Sequence, residues 1–131
     1  MSGELISSVM VAFNLTLNPL FDAIAKIETG NGKYGKNVYQ LQDIYIDDVN
    51  RILGRNEFKY EDKFDVGKSR EMMRIYWGWY GSIYESKTGN AVSYSVLARI
   101  HNGGPDGWKK YATKQYAKRV MNLIEDGMKK E

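Results

Sequence analysis

The chain has 131 residues, 43% hydrophobic and 13% aromatic, enough for one domain with its own core and too apolar for a disordered segment. It contains no cysteine, which excludes disulfides and thiolate metal sites and suits folding in a reducing cytoplasm. The net charge of +3 favours approach to an anionic surface, cell wall or nucleic acid alike, without choosing between them.

Residues 5–13 are apolar enough for a helix lying over the core. The apolar stretch continues to Phe21, but Asn14, Thr16, Asn18 and Pro19 interrupt it and Glu4 is its only early charge. Neither a membrane span nor a secretory signal is therefore expected. Asn18-Pro19 predicts a helix start, with Asn as cap and Pro in the first turn. Leu20, Ile24 and Ile27 recur at helical spacing, and Glu28 falls four residues after Ile24, on the same apolar stripe. Thr29-Gly30 ends that helix. Residues 31–39, with Gly32 and Gly35, read as turns or a small hairpin.

Asp43–Leu53 reads as a helix with Ile44, Tyr45, Val49 and Ile52 inward and Gly54 as its stop. Asp65 is placed to cap a helix over about 66–80, whose apolar side is Met72, Met73, Tyr76, Trp77 and Tyr80. Asn90 is taken as the cap of the next helix, with Val92, Val96, Leu97 and Ile100 facing the core. A last helix, about 112–128, turns Tyr116, Val120, Leu123 and Ile124 inward. Five or six helices with one small turn-rich or hairpin insert make a mainly α (α+β) single domain over residues 1–131.

The segment Ala98-Arg99-Ile100-His101-Asn102-Gly103-Gly104-Pro105-Asp106-Gly107 is a helix end running into glycines, with two polar side chains at the junction. Glycines there let another group approach the backbone closely, and Pro105 prevents helical continuation. Such a segment serves equally as an ordinary helix stop. Glu28 carries the chemical interest. Burial raises a carboxyl pKa, and an acid kept protonated near neutrality can protonate a leaving oxygen. The alternative is a buried glutamate that merely bonds the backbone at its helix end.

Several motifs in this order resemble the lysozyme and lytic transglycosylase superfamily. Glu28-Thr29-Gly30 resembles its Glu-Ser-Gly, and Val38-Tyr39-Gln40-Leu41 with the helix after it resembles its Gly-x-x-Gln-Ile segment. Arg99-Ile100-His101-Asn102-Gly103-Gly104-Pro105 is similar to the Ala-Arg-Ile-His-Asn-Gly-Gly-Pro signature of invertebrate-type lysozymes. Ala112-Thr113 and Tyr116 match Ala-Thr-x-x-Tyr-Trp, with Ala117 where Trp is usual. The resemblance covers residues 18–120 and implies a lysozyme-like fold. It also implies cleavage of the β-1,4 bond between N-acetylmuramic acid and N-acetylglucosamine, with Glu28 as general acid. Gln40 would bind the sugar, and His101, Asn102 and Gly103 would shape the floor. Tyr39 and Tyr45 are candidates to meet sugar faces, with core packing the plainer role for Tyr45.

Three departures qualify the match. Disulfides are absent, which is closer to bacterial or phage relatives. Asn37 stands where glycine is usual. Between Thr29 and Gln40 there is neither Asp nor Glu, whereas most glycosidases flank the bond with two carboxylates. Asp43 could swing in as the second; the substrate's own hydroxyl could attack, as in transglycosylases; or the site could bind glycan and cut poorly. Asp47 and Asp48 read as helix-surface charges, with Asp48 near Arg51.

His101 is the sole histidine, so a zinc site is not expected, and it reads as a packed, hydrogen-bonded residue. Lys109, Lys110, Lys114, Lys118, Arg119, Lys129 and Lys130 are scattered, with no nucleic-acid recognition motif beside them. The expectation is a cofactor-free monomer made in the cytoplasm without a clear signal peptide. It would act on peptidoglycan strands in the periplasm or outside the cell, as a phage endolysin does, with no nucleic-acid partner and no stable membrane association.

Overall fold

The structure, a computed structural model, describes residues 15–30 and 36–129. The expected helix at 5–13 and the core of the expected hairpin, residues 31–35, lie outside them. The fold is mainly α. Among the described residues there are five α-helices, three short 3-10 turns and no strand. The helices are α1 (Asn18–Thr29), α2 (Asp43–Leu53), α3 (Val66–Thr88), α4 (Tyr94–Gly103) and α5 (Lys114–Lys129).

Helix α4 lies at the centre, packed against α1, α3 and α5, while α2 leans on α3 and α1 on α5. Trp77, fully buried in α3, donates its indole N–H to the Leu97 carbonyl of α4 at 3.0 Å. That bond lets a bulky aromatic satisfy its one polar atom inside the core. Phe21 of α1 packs on Trp77 at 5.5 Å between ring centroids.

The ends of the helices explain most boundaries. Pro19 stands in the first turn of α1, but Leu17 rather than Asn18 holds the cap position. Leu17 already has helical angles, and its carbonyl accepts from Phe21 N–H at 2.9 Å, so the ladder begins one residue early. Gly30 closes α1 at φ 58°, a left-handed angle that disfavours residues with a Cβ. Asp65 caps α3 as its sequence position predicts, accepting from Lys68 N–H at 2.8 Å.

Helix α3 runs eight residues past the expected end at Tyr80, because Gly81 is buried within the helix and Tyr84 continues the apolar face. Ile44, expected inward, is 72% exposed; the buried stripe of α2 is Ile46, Val49, Ile52 and Leu53, and Ile44 lies on the other side of the cylinder. Asn90 does not cap α4. Ser93 does, its hydroxyl accepting from Val96 N–H at 3.2 Å, so Val92 is buried just ahead of the helix. Helix α5 begins at Lys114, after a 3-10 turn over Tyr111–Thr113. A further 3-10 turn, Tyr60–Phe64, joins α2 to α3.

The Ser93 cap gives a direct test. Ser93→Ala leaves the Val96 N–H without its side-chain acceptor and costs about 1 kcal/mol of unfolding free energy, measured by urea titration. Asn90→Ala leaves stability within about 0.5 kcal/mol, as an exposed turn position should.

Candidate active site

A cleft of about 750 Å³ opens where the end of α1, the segment leading into α2, the middle of α3 and the end of α4 converge. Glu28 lines it from α1, Gln40 from the loop, Tyr45 and Asp48 from α2, Tyr76 and Tyr80 from α3, and His101 and Asn102 from α4.

Glu28 reaches the cleft because its place on the apolar stripe of α1 turns it toward α4 and α5. Its side chain keeps 21% exposure, with Oε2 4.0 Å from His101 Nε2. Burial raises the carboxyl pKa above its ordinary value, opposed by the Arg119 guanidinium on α5. The Tyr116 hydroxyl is buried without a hydrogen-bond partner, and burial together with the nearby Glu28 pushes its pKa up.

His101 is packed, as its sequence setting suggests. Its side chain is 4% exposed, and Nε2 lies 3.1 Å from the Tyr39 carbonyl. A carbonyl can only accept, so Nε2 carries the proton and Nδ1 is the bare nitrogen, buried without a partner. Burial lowers the ring's pKa to about 4, against the Tyr39 bond that favours the charged form. The ring is therefore neutral at pH 7 and makes no ion pair with Glu28.

A pH test follows. Because the folded ring has a pKa near 4 against 6.5 when free, the stability of keeping it neutral is complete above pH 6.5. It is lost as pH falls from there through 4, and amounts to roughly 3 kcal/mol. Glu28 runs the other way, since its raised pKa removes stability as pH rises. Urea unfolding of a Glu28→Gln background at pH 7 and pH 4.5 removes Glu28's opposing contribution, and the single imidazole NMR resonance, which reports the histidine alone, stays at its neutral position down to pH 5.

Tyr39 does not face the cleft. It is completely buried, its ring 5.8 Å from Phe21, and its hydroxyl accepts from Arg70 Nε at 2.7 Å. Its contribution is the carbonyl that holds His101. Gln40 does line the cleft, on a backbone at φ 54°, a left-handed angle costing a non-glycine residue about 1 kcal/mol. Asn37 offsets that cost. Its amide N–H donates to the Leu41 carbonyl at 2.9 Å and its amide oxygen accepts from Leu41 N–H at 3.0 Å, clasping the loop around Gln40. The residue that departs from the expected glycine is thus the brace of the loop.

Asn102 is exposed and lines the cleft. Gly103 does not. A Cβ there would meet Thr113 Cγ2 at 2.5 Å, so it faces the 3-10 turn ahead of α5, and Gly104 and Pro105 take its place on the wall. Asp43 also lies outside the lining; its Oδ1 accepts from Lys63 Nζ at 2.7 Å. An ammonium group at that distance holds the carboxylate on the outer side of α2.

Tyr45 does reach the cleft, stacked on Tyr76 at 4.1 Å with rings 18° apart. Asp48 pairs with Arg51 at 2.7 Å, as their spacing on the helix suggests. Yet the pair is more than a surface pair, since Asp48 is 22% exposed, lines the cleft and also accepts from the Tyr80 hydroxyl. Burial and the Asp48 bond raise the Tyr80 pKa to about 12. The signal for this cluster was the shared helix face of Tyr45 and Asp48, one turn apart; the Tyr80 partner, 32 residues away, has no sequence signature.

Two of the basic C-terminal side chains have partners of their own: Lys109 lies 3.7 Å from Asp106, and Lys110 donates to the Gly103 carbonyl at 2.7 Å. Among the described residues no group of three His, Cys, Asp or Glu side chains could hold a metal ion, and no helix is long and apolar enough to cross a membrane. No protein-family profile, curated protein or solved structure matches this chain.

Proposed function

We propose that this chain is a muramidase of lysozyme-like fold, cutting the β-1,4 bond between N-acetylmuramic acid and N-acetylglucosamine in peptidoglycan with Glu28 as general acid. The observation that carries the reading is one carboxyl, sheltered at 21% exposure with a raised pKa, on the wall of a cleft large enough for sugar rings. A protonated carboxyl there can deliver its proton to the glycosidic oxygen as the C–O bond breaks. Gln40 and Asn102 supply hydrogen bonds to sugar hydroxyl and acetamido groups, and the stacked Tyr45 and Tyr76 supply apolar surface. The motif order from Glu28 to Tyr116 supports the same reading. Such an enzyme would be made in the cytoplasm and act on the cell wall as a bacteriolytic monomer, consistent with a phage lysis enzyme.

Asp43, tied to Lys63 outside the cleft, favours keeping a second reading: a lytic transglycosylase in which the sugar's own hydroxyl attacks. Mass spectrometry of digested peptidoglycan decides between the two. Reducing-end products mean hydrolysis, and products lighter by one water mean transglycosylation. The absence of released products from the wild-type chain overturns the enzymatic reading and leaves a glycan-binding module.

A further inference from the structure

We propose that Asp48 is the second carboxylate of this site, holding and deprotonating the water that attacks the anomeric carbon. The proposal rests on the muramidase reading and supplies the residue that the loop between Thr29 and Gln40 lacks.

The cleft wall carries three carboxylates: Glu28, Asp47 and Asp48. Asp47 is exposed, and its Oδ1 accepts from the Tyr60 hydroxyl at 2.8 Å, outside the floor of the cleft. Asp48 is mostly sheltered and held from two sides. Its Oδ1 accepts from Arg51 Nε at 2.7 Å and lies 2.7 Å from Arg51 Nη2, while Oδ2 accepts from Tyr80. Tyr80 is itself fixed, because its oxygen accepts from Arg51 Nη2 at 3.0 Å. An ionised carboxylate offers about four lone-pair sites. Three are filled here, which leaves one on Oδ2 for a water.

Glu28 and Asp48 line the same cleft. The Tyr45 ring approaches His101, Glu28's neighbour, at 6.4 Å between centroids, and Asp48 follows Tyr45 by one turn on the same helix. Tyr45 and Tyr76, stacked on each other, line the same cleft as both carboxylates. An acid and a second carboxylate on one cleft are what a site needs to place water against one face of a sugar while the acid protonates the leaving oxygen.

The step balances without any further reagent. Water's oxygen forms a bond to the anomeric carbon as the bond from that carbon to the glycosidic oxygen breaks. Asp48 takes the water's proton, and Glu28 gives its own to the departing oxygen. Exchange with solvent returns both groups to their starting states, and the product carries inverted configuration at the anomeric carbon.

The test digests peptidoglycan in isotope-labelled water and reads both label and anomer at the new reducing end. The wild-type chain should place the label on the anomeric carbon with inversion. Asp48→Ala should lower labelled product about a hundredfold at nearly unchanged KM. Added azide should then restore bond cleavage, giving the inverted glycosyl azide, because an anionic nucleophile needs no base. Asp48→Asn, which keeps the side-chain volume and an acceptor for Arg51, should show the same loss with thermal unfolding near the wild-type midpoint.

Labelled product within threefold of wild type in either variant overturns the assignment. So does a loss in Asp48→Ala that azide does not reverse, since a purely structural role predicts that. Products lighter by one water from the wild-type chain overturn it while leaving Glu28's role intact. No cleavage by the wild-type chain overturns the muramidase reading with it.

Discussion

Glu28→Gln is expected to abolish clearing of a cell-wall suspension, lowering the rate about a thousandfold or more, while the chain stays folded. Glutamine keeps the shape and hydrogen-bonding reach of the side chain but has no proton to give at neutral pH. A general acid of this kind contributes about 10²–10⁴-fold to a rate. The structural cost is small because Glu28's side chain already retains partial exposure and makes no short ion pair, His101 Nε2 lying 4.0 Å away. Burial disfavours the charged carboxylate, so a neutral amide is tolerated at least as well. Chitooligosaccharide binding should persist in the variant, which separates lost chemistry from a lost cleft. The rate of the unmodified chain should fall as pH rises through Glu28's raised pKa, and that limb should vanish with the carboxyl. Full clearing by the Gln variant removes Glu28 from the mechanism.

Gly107→Ala should destabilise the fold by about 3 kcal/mol, the largest stability effect anticipated for so small a change. A Cβ at Gly107 would stand 2.0 Å from the Arg99 carbonyl oxygen and 3.2 Å from the Ile100 Cα, both backbone atoms of α4. Neither can rotate away as a flexible side chain would. The segment is also held from outside: Thr113 Oγ1 lies 2.7 Å from the Gly107 carbonyl, and Arg99 Nε donates to Thr113 Oγ1 at 2.7 Å. Relief of the clash must therefore shift the loop that carries Gly104 and Pro105 on the cleft wall. Thermal unfolding followed by circular dichroism should show a midpoint several degrees lower, with activity falling further than stability alone accounts for. Gly54→Ala is the comparison: a Cβ there meets nothing within 4 Å, so only its left-handed φ of 73° opposes the change, at about 1 kcal/mol.

The helices were readable because their apolar residues recur at helical spacing and their ends carry strong signals. Pro19, Gly30, Gly54 and Asp65 each mark a boundary by local chemistry alone. The errors arose where a local signal competed with tertiary packing. Asn90 is a good cap residue, but Ser93 stands nearer the first buried turn. Helix α3 passes its expected end because Gly81 is buried within it and Tyr84 continues the buried face. The cleft positions of Glu28 and His101 are legible in the sequence, the first as a charge on an apolar stripe, the second as a polar residue at a junction with glycines. Tyr39 was misread because motif position says nothing about which way a ring turns; the core claims it through Phe21 and Arg70. The place of Asp48 in the cleft is hidden in the sequence for a complementary reason. Its nearest sequence partner, Arg51, accounts for it as a surface pair, and the long-range contact with Tyr80 that makes it part of the cleft cannot be seen one helix at a time.

Tyr39 joins three helices at one residue: its ring meets Phe21 of α1, its hydroxyl Arg70 of α3, and its carbonyl His101 of α4. The groove is thus continuous with the protein's interior instead of being laid over it. Substitutions have latitude at Gln42 and Asn102, which border the groove and are exposed. At position 39 there is no such latitude, because durability and the shape of the groove are there one property, and a change that harms either harms both.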